Sequence, residues 1–321
     1  MTMPLRIVSL IPSATEIVDC LGLAEFLVGR SHECDYPASV QALPICTEPK
    51  FNPDGSSRAI HARVTDLLQS ALSVYRVKTE VLEQLQPTHI LTQAQCEVCA
   101  VSLADVEQAV GTLTGCRPQI LSLQPNRLAE VWADLERVAA AFQIDAAPVL
   151  DQLHQRVTAC KAARPAGPTV VCIEWAEPLM AAGNWIPELV ELAGGRCLLG
   201  QVGEHSPWLK WEDLLAADPD LLVLMPCGYD LDRTRQDAAL LAQQDAWSQL
   251  KAVQHGRVYI TDGNQYFNRP GPRLVDSLEI LAEILWDAHP EQGNLGLTHY
   301  RGQGWERYAQ PEPAEPLTSP I

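Results

Sequence analysis

The sequence predicts an α/β protein with two Rossmann-like lobes of parallel sheet joined by one long helix. Three observations lead to this expectation. Apolar runs rich in β-branched residues alternate with amphipathic segments in both halves of the chain, an order typical of parallel sheets covered by helices. A stretch of helical character, residues 127–166, separates the two halves. At 321 residues the chain is also longer than one hydrophobic core usually serves.

The first lobe is expected over residues 1–126. Ser13, followed three residues later by Glu16, predicts a capping box at the start of its first helix. The predicted strands are Arg6–Leu10, Phe26–Ser31, Thr88–Thr92 and Gln119–Leu123. The predicted helices are Pro12–Leu21, Thr79–Leu85 and Leu103–Val110.

The linking helices are expected over residues 127–166. Leu128, Val131 and Leu135 recur at helical spacing. Pro148 then falls near the first turn of a second helix, where proline is tolerated. This second helix is interpreted as the long connection between the lobes. A helix is a stiff joint, and we therefore expect only small motions of one lobe against the other.

The second lobe is expected over residues 167–290, in the same layout. Its predicted strands are Thr169–Ile173, Leu221–Leu224 and Arg257–Ile260. Its predicted helices are Ile186–Leu192, Trp211–Ala216, Ala238–Gln243 and Pro272–Trp286. Residues 291–321 are polar and end in a proline-rich stretch, which predicts a disordered tail.

Charge and composition exclude several partners. The formal net charge of −17 repels nucleic acid phosphates and anionic lipid headgroups. The opening residues show no export signal, because Ser13, Thr15 and Glu16 interrupt the apolar run. No stretch approaches the roughly 18 apolar residues of a membrane span. As written, the chain is expected to be a cytoplasmic monomer, or a periplasmic one if a leader has been removed.

Loops that follow the predicted strands carry the candidate ligand-binding residues. Ligands of open α/β sheets bind beyond the carboxyl ends of strands. Aromatic side chains recur in these loops beside amide, carboxylate and guanidinium groups, a combination that suits a large flat ligand with polar edges. These candidates are His32, Glu33, Tyr36, Gln93, Trp175, Trp185, Tyr229, Tyr266, Phe267 and Arg269.

Some of the candidates allow more than one interpretation. His32 is either an axial ligand of cobalt or iron, or polar surface. Cys96 and Cys99 are either a zinc site completed by His32 or Cys34, a redox pair, or two packed thiols. Arg269 is either a hydrogen-bond donor to amides or carboxylates of the ligand, or part of a surface ion pair.

The segment from Ile7 to Pro37 resembles the opening of the cobalamin-binding proteins of ABC importers, a cluster A family. The likeness lies in the run Ser9-Leu10-Ile11-Pro12-Ser13-Ala14-Thr15-Glu16 and in Asp35-Tyr36-Pro37. It extends to about Trp286, through Leu189-Val190-Glu191-Leu192-Ala193-Gly194-Gly195 and Tyr266-Phe267-Asn268-Arg269.

The resemblance implies a class III solute-binding fold, a corrinoid such as cobalamin as ligand, and an ABC permease as partner. Glu80 and Glu191 stand where the family's carboxylates dock onto permease arginines. Trp208 lies near its second-lobe tryptophan. The resemblance is nearly as compatible with binding of haem or an iron-siderophore. The His-Glu-Cys loop at His32 and the Cys-x-x-Cys loop at Cys96 depart from the transport members.

An enzyme is the competing class of function. Nucleotide-binding, hydrolase and metalloprotease motifs are absent from the sequence. Glu33, Glu97 and Glu174 remain candidates for an acid–base pair, but their spacing does not bring them together. A zinc-binding or thiol-redox protein built on the same lobes is a third class. We expect a binding protein without turnover.

Overall fold

The computed structural model describes residues 4–69, 74–94, 101–160, 167–288 and 299–309. Helices and strands alternate in its first half as the sequence predicts. The strands are β1 (Ile7–Ser9), β2 (Leu27–Arg30), β3 (Thr47–Pro49), β4 (Tyr75–Val77), β5 (His89–Gln93) and β6 (Gln119–Leu123). The helices are α1 (Pro12–Cys20), α2 (Ser57–Gln69), α3 (Thr79–Leu85) and α4 (Leu103–Thr112).

Two linking helices lead into a second alternating half. They are α5 (Leu128–Ala141) and α6 (Ala147–Cys160). The strands that follow are β7 (Thr169–Trp175), β8 (Met180–Ala181), β9 (Arg196–Cys197), β10 (Leu221–Leu224), β11 (Val258–Thr261) and β12 (Trp305–Arg307). The helices are α7 (Ile186–Leu192), α8 (Trp211–Ala217), α9 (Leu231–Leu241), α10 (Lys251–Gln254) and α11 (Leu274–Asp287).

Each half builds its own sheet. Within the described residues, the first sheet has the order β2-β1-β5-β6, and all its strands are parallel. The second has the order β12-β11-β10-β7-β8, with β9 also paired to β7. Its β7, β9, β10 and β11 run parallel, while β8 and β12 are antiparallel. Strands β3 and β4 form a separate antiparallel pair. The predicted fold class is confirmed.

Alternation of side chains along the strands divides the interior into three apolar clusters. In β1, Ile7 points into a central cluster and Val8 into an outer cluster of the first lobe. In β7, Cys172 points into the same central cluster and Val171 into an outer cluster of the second lobe. A strand places successive side chains on opposite faces. One face of each sheet therefore borders a core that both lobes share.

The linking helices belong to this shared core. Buried residues of α5 and α6 join it, and α6 packs against α11. Burial of apolar surface is the dominant favourable term in folding. Separating the lobes would expose part of this core, so the shared cluster restrains motion of one lobe relative to the other.

Two expectations about local structure were wrong. The capping box is absent, because α1 begins at Pro12 with Ile11 as its N-cap and no side-chain cap. Glu16 turns into the interior instead. The disordered tail is wrong for residues 299–309, since β12 pairs with β11 and Trp305 is buried in the central cluster. The proline-rich end, 310–321, lies outside the described residues.

Candidate functional site

Two loops that leave the carboxyl ends of parallel strands meet between the lobes. The loop after β2 carries Asp35, and the loop after β11 carries Asn264 and Arg269. The side-chain amide of Asn264 donates to the Asp35 carboxylate over 3.2 Å. Open α/β sheets bind their ligands beyond such strand ends. The junction between these loops is therefore the candidate site.

Arg269 and Asp35 form a two-pronged ion pair across the lobes. Arg269 Nη1 lies 2.5 Å from Asp35 Oδ1, and Nη2 lies 3.0 Å from Oδ2. Bidentate pairs of this kind are among the strongest hydrogen-bonded contacts in proteins. Burial acts to raise the pKa of Asp35, but the hydrogen bonds and charge of Arg269 outweigh it and bring the pKa below its ordinary value. Asp35 is thus ionised at neutral pH and neutralises Arg269, which is only 6% exposed.

Glu16 of α1 adds a second carboxylate to this junction. Its Oε1 lies 3.5 Å from Arg269 Nη1 and 3.4 Å from Arg273 Nη1. Burial raises the pKa of Glu16 to about 7, against the opposing charges of Arg273 and Arg269. Its Oε2 is buried without a hydrogen-bond partner among the described residues. We call Glu16, Asp35, Asn264, Arg269 and Arg273 the inter-lobe seam.

Aromatic rings flank the seam. The Arg273 guanidinium carbon lies 4.1 Å from the ring centre of Tyr36 in the first lobe and 4.8 Å from that of Tyr266 in the second. The same guanidinium donates to Gln265 Oε1 over 3.2 Å. Tyr36 remains 41% exposed. Stacking under a guanidinium fixes a ring's orientation while leaving its other face available. The structure thus brings two of the predicted aromatic residues together.

His32 is anchored beside the seam by Thr47. The main-chain N–H of His32 donates to Thr47 Oγ1 over 3.1 Å, and His32 Nδ1 lies 2.8 Å from the same oxygen. The Thr47 hydroxyl can donate to Nδ1 or accept from it, and the two cases differ in which ring nitrogen carries the proton. Burial, followed by the charges of Lys78 and Arg30, lowers the pKa of His32 to about 4. The imidazole is thus neutral at neutral pH, which is the form that ligates metals, and axial ligation by His32 stays a prediction.

Glu33 lies next to this imidazole. Its Oε1 accepts a hydrogen bond from the Tyr75 hydroxyl over 3.2 Å and lies 4.0 Å from His32 Nε2. Burial raises the pKa of Glu33 to about 7, against the Tyr75 hydrogen bond and the charge of Arg269. The predicted pair therefore presents a neutral imidazole and a partly ionised carboxyl group at the edge of the seam near neutral pH.

Trp175 and Tyr229 stand together at the carboxyl ends of β7 and β10. Their ring centres are 5.4 Å apart. Arg233 lies on α9, and its guanidinium carbon is 4.8 Å from the Tyr229 ring centre. The main-chain N–H of Asn264 donates to the Tyr229 carbonyl over 3.0 Å. The pair is thus continuous with the seam, and Arg233 donates to the Gly55 carbonyl of the first lobe.

Helix α2 and the turn before it reach the second lobe at further points. The Ser57 hydroxyl donates to Asp237 Oδ2, and both residues are buried. The His61 ring lies edge-on to Trp208, with 5.3 Å between ring centres. Trp208 is 55% exposed. These contacts place Trp208 where the two lobes adjoin, with most of its ring open to solvent.

Two of the predicted ligand contacts are core residues instead. Phe267 has no exposed surface and packs in the central cluster. Trp185 is buried there as well, with its Nε1 donating to the Phe267 carbonyl over 2.6 Å. Direct contact of either ring with a ligand does not fit this burial. Gln93 is also buried, at the end of β5.

The predicted docking residues are not part of the seam. Glu80 at the start of α3 and Glu191 near the end of α7 are exposed. Cys96 and Cys99 lie outside the described residues. Across the described ranges, no group of three or more His, Cys, Asp or Glu side chains could hold a metal ion. The eight cysteines that the structure describes are free.

A depression of about 440 Å³ lies between the two linking helices. It is lined by residues of α5 and α6 and of the turn between them. None of the predicted ligand-binding residues borders it, so its size carries no weight for the candidate site.

The seam contains residues that sequence reasoning did not assign to the site. Glu16 carries the signature of a helix cap, and its partners lie more than 250 residues away. Asp35 and Asn264 stand in strand-end loops from which sequence reasoning selected neighbouring residues instead. The position of these loops after predicted strands was the signal that could have identified both residues. Nothing in the local sequence indicates that Asp35 and Asn264 pair with residues of the opposite lobe.

Two α/β lobes with converging strand-end loops define a two-lobed solute-binding protein. The chain belongs to the Periplasmic binding protein family, whose profile matches residues 7–265. No helix within the described ranges is both long and apolar enough to cross a membrane.

Curated relatives cover most of the chain. An uncharacterized ABC transporter substrate-binding lipoprotein, YvrC of Bacillus subtilis, is 22% identical over 287 residues, 88% of this chain and 80% of that protein. A vitamin B12-binding protein of Vibrio cholerae is 23% identical over 300 residues, 87% of this chain and 88% of that protein. Neither these relatives nor the family description supports the cytoplasmic expectation.

Solved structures agree in fold. The periplasmic vitamin B12 binding protein of Vibrio cholerae superposes with a TM-score of 0.61 at 21% identity, over 88% of this chain and 97% of that one. A periplasmic heme binding protein of Pseudomonas aeruginosa gives 0.64 at 23% identity, over 89% and 94%. At these identities the likeness shows the fold alone.

Proposed function

We propose that this chain binds a cobalamin-like corrinoid between its lobes, as the solute-binding component of an ABC-type uptake system. The observation that carries the proposal is the seam itself. Strand-end loops of both sheets meet there, the rings of Tyr36 and Tyr266 flank it, and Trp208 is exposed at a second contact between the lobes. Concave sites with aromatic walls and a few fixed polar groups are typical of small-molecule binding.

The charges of the seam favour a ligand with a neutral rim. Arg269 and Arg273 both contact carboxylates of the first lobe. A ligand that carries carboxylates needs guanidinium groups to replace its lost hydration, and these two are engaged already. Glu33, whose pKa is affected by the charges of Arg269 and Asp35, adds a carboxyl group nearby. A corrinoid rim of uncharged amides meets no such penalty, and the vitamin B12-binding relative supports this choice.

Haem or an iron chelate is the second candidate. Its support is the shared fold with solved heme-binding proteins, among them one in complex with two hemes at a TM-score of 0.65. A metal site built on Cys96 and Cys99 is a further alternative that rests on sequence alone. An enzyme is the competing class. Among the described residues, Glu33 contacts the Tyr75 hydroxyl and lies 4.0 Å from the His32 imidazole, which is not the pair of carboxyl groups that acid–base catalysis by two glutamates requires.

Delivery to a permease is the remaining part of the proposal. Glu80 and Glu191 lie one on each lobe, and both are exposed. Exposed carboxylates on the two lobes suit docking onto paired basic groups, because complementary charge orients two proteins as they approach. The substrate-binding lipoprotein relative supports a role in ABC uptake.

Titration of the purified protein with three ligands tests the proposal. Hydroxocobalamin, haemin and a ferric siderophore are added separately, and binding is followed by calorimetry and by visible difference spectra. We expect one corrinoid per chain, bound at least tenfold more tightly than haemin. Tighter binding of haemin would replace the corrinoid by the second candidate. A separate titration with zinc completes the test, and binding of zinc but of none of the three other ligands would favour the site at Cys96 and Cys99.

A further inference from the structure

Tyr229 is held in a fixed position at the border of the two lobes. Its ring lies 5.4 Å from the Trp175 ring and 4.8 Å from the Arg233 guanidinium carbon. Its carbonyl accepts the main-chain N–H of Asn264 over 3.0 Å, so the loop after β10 is tied to the seam. Ring and backbone are therefore both fixed, and the hydroxyl has little freedom to seek a partner elsewhere.

The hydroxyl of Tyr229 is buried without a hydrogen-bond partner among the described residues. The residue as a whole is more than nine-tenths buried. Buried polar groups in proteins are almost always hydrogen-bonded, since an unpaired one loses its water without compensation. A phenylalanine would make the same ring contacts without this cost. Because Tyr229 stands at the border of the lobes, its hydroxyl can obtain that missing partner from a bound ligand.

The surroundings select the chemistry of that partner. Two carboxyl groups lie at Arg233: Asp230 Oδ1 accepts its main-chain N–H over 2.8 Å, and Asp237 Oδ1 lies 4.0 Å from its guanidinium. Arg233 is itself engaged, because it donates to the Gly55 carbonyl of the first lobe. Two carboxyl groups beside one occupied guanidinium disfavour an anionic group. An uncharged group that both donates and accepts hydrogen bonds fits instead.

We propose that the Tyr229 hydroxyl hydrogen-bonds a primary amide on the rim of the bound ligand and selects amides over carboxylates at that position. The inference rests on the proposed function and adds a specificity-determining contact to it. Helix α9 and the turn that carries Gly55 hold the group in place from the two lobes. Discrimination follows because a carboxylate in the same place meets the surrounding acids.

The chain offers a matched control for the test. Tyr308 has the same fractional exposure as Tyr229, and its hydroxyl is likewise buried without a partner in the described structure. It packs near Trp247 in the outer cluster of the second lobe, away from the seam. Tyr229→Phe and Tyr308→Phe therefore remove equivalent atoms from equivalent burial, and differ in whether they border the site.

The experiment measures binding and stability of both variants with two probes. The probes are cyanocobalamin and its monocarboxylic acids, in which one peripheral amide is hydrolysed. We expect both variants to melt no lower than the original chain. Tyr229→Phe should raise the Kd for cyanocobalamin about tenfold and reduce the preference over at least one monocarboxylic acid. Tyr308→Phe should change neither value.

The outcomes separate this inference from the proposed function. Unchanged affinity and unchanged preference in Tyr229→Phe would overturn the Tyr229 contact while leaving corrinoid binding intact. An equal loss in Tyr308→Phe would overturn it too, as a general effect of the substitution. Failure of the original chain to bind cyanocobalamin at all would overturn both proposals together.

Discussion

The stability of the seam is open to direct measurement through Arg269→Met. The substitution keeps most of the side-chain volume and removes the guanidinium that bridges Glu16 and Asp35. Breaking a buried ion-pair network by deleting one partner costs about 3–5 kcal/mol, because the remaining charges stay buried without compensation. Glu16 keeps only its contact with Arg273. Asp35 is partly exposed and recovers some hydration.

A second arginine provides the comparison. Arg235 also contacts two carboxylates, Asp232 and Glu306, but its side chain is 43% exposed. Exposed ion pairs contribute about 0–1 kcal/mol. Arg235→Met should therefore cost less than about 1 kcal/mol, although it removes the same number of ion pairs as Arg269→Met.

Urea unfolding at pH 7.5, followed by circular dichroism, measures both losses. The slope of the free energy of unfolding against urea should stay constant between variants, so that the midpoints report stability alone. We expect Arg269→Met to lose about 3–5 kcal/mol. A loss no larger than that of Arg235→Met would refute the argument that the seam holds the lobes together.

Three further predictions follow from burial and exposure. Because burial raises the pKa of Glu16 from 4.5 to about 7, the folded chain binds more protons than the unfolded chain between these pH values. The free energy of unfolding should therefore fall by about 3 kcal/mol as the pH rises from 4.5 to about 7. Urea titrations at several pH values should show a flatter dependence on pH for Glu16→Gln. Trp208→Ala should raise the ligand Kd about tenfold in calorimetry with an unchanged melting temperature. Trp185→Ala should instead lower the free energy of unfolding by about 3–5 kcal/mol. A stability loss in Trp208→Ala with none in Trp185→Ala would contradict the assignment of Trp185 to the core and Trp208 to the site. Glu80→Ala with Glu191→Ala should abolish stimulation of a cognate permease's ATPase while ligand affinity stays the same, and unaltered stimulation would exclude both carboxylates from docking.

Local periodicity explains why the fold was predictable. Strands β1, β5, β7 and β10 are apolar runs flanked by amphipathic helices, and each pattern is complete within a few residues. The missed strands lack such a pattern. Strands β8 and β9 contain two residues each. Strand β12 forms because Trp305–Arg307 pair with β11 at the edge of the sheet. This partner lies more than forty positions earlier in the chain, so the local sequence of β12 does not indicate the pairing.

The site was predictable in place but not in detail. Strand-end loops are identified once the strands are, which is why Tyr36, Trp175 and Tyr229 fall at the border of the lobes. Whether an aromatic residue in a loop faces the core or the solvent depends on packing across the chain. Trp185 and Trp208 look alike in sequence, yet one donates to the Phe267 carbonyl in the core and the other stands largely exposed.

Shared core and seam together limit how the protein can recognise a ligand. The central cluster borders both sheets, and Arg269 ties the loops at their carboxyl ends. Wide opening would expose apolar surface and leave buried charges unpaired, so we expect the lobes to move only as far as admitting a ligand at the seam requires. Selection between ligands then depends on groups already in position. Because Arg269 and Arg273 already contact Glu16 and Asp35, the ligand proposed for this chain is a broad ring with an amide rim rather than one that carries acids.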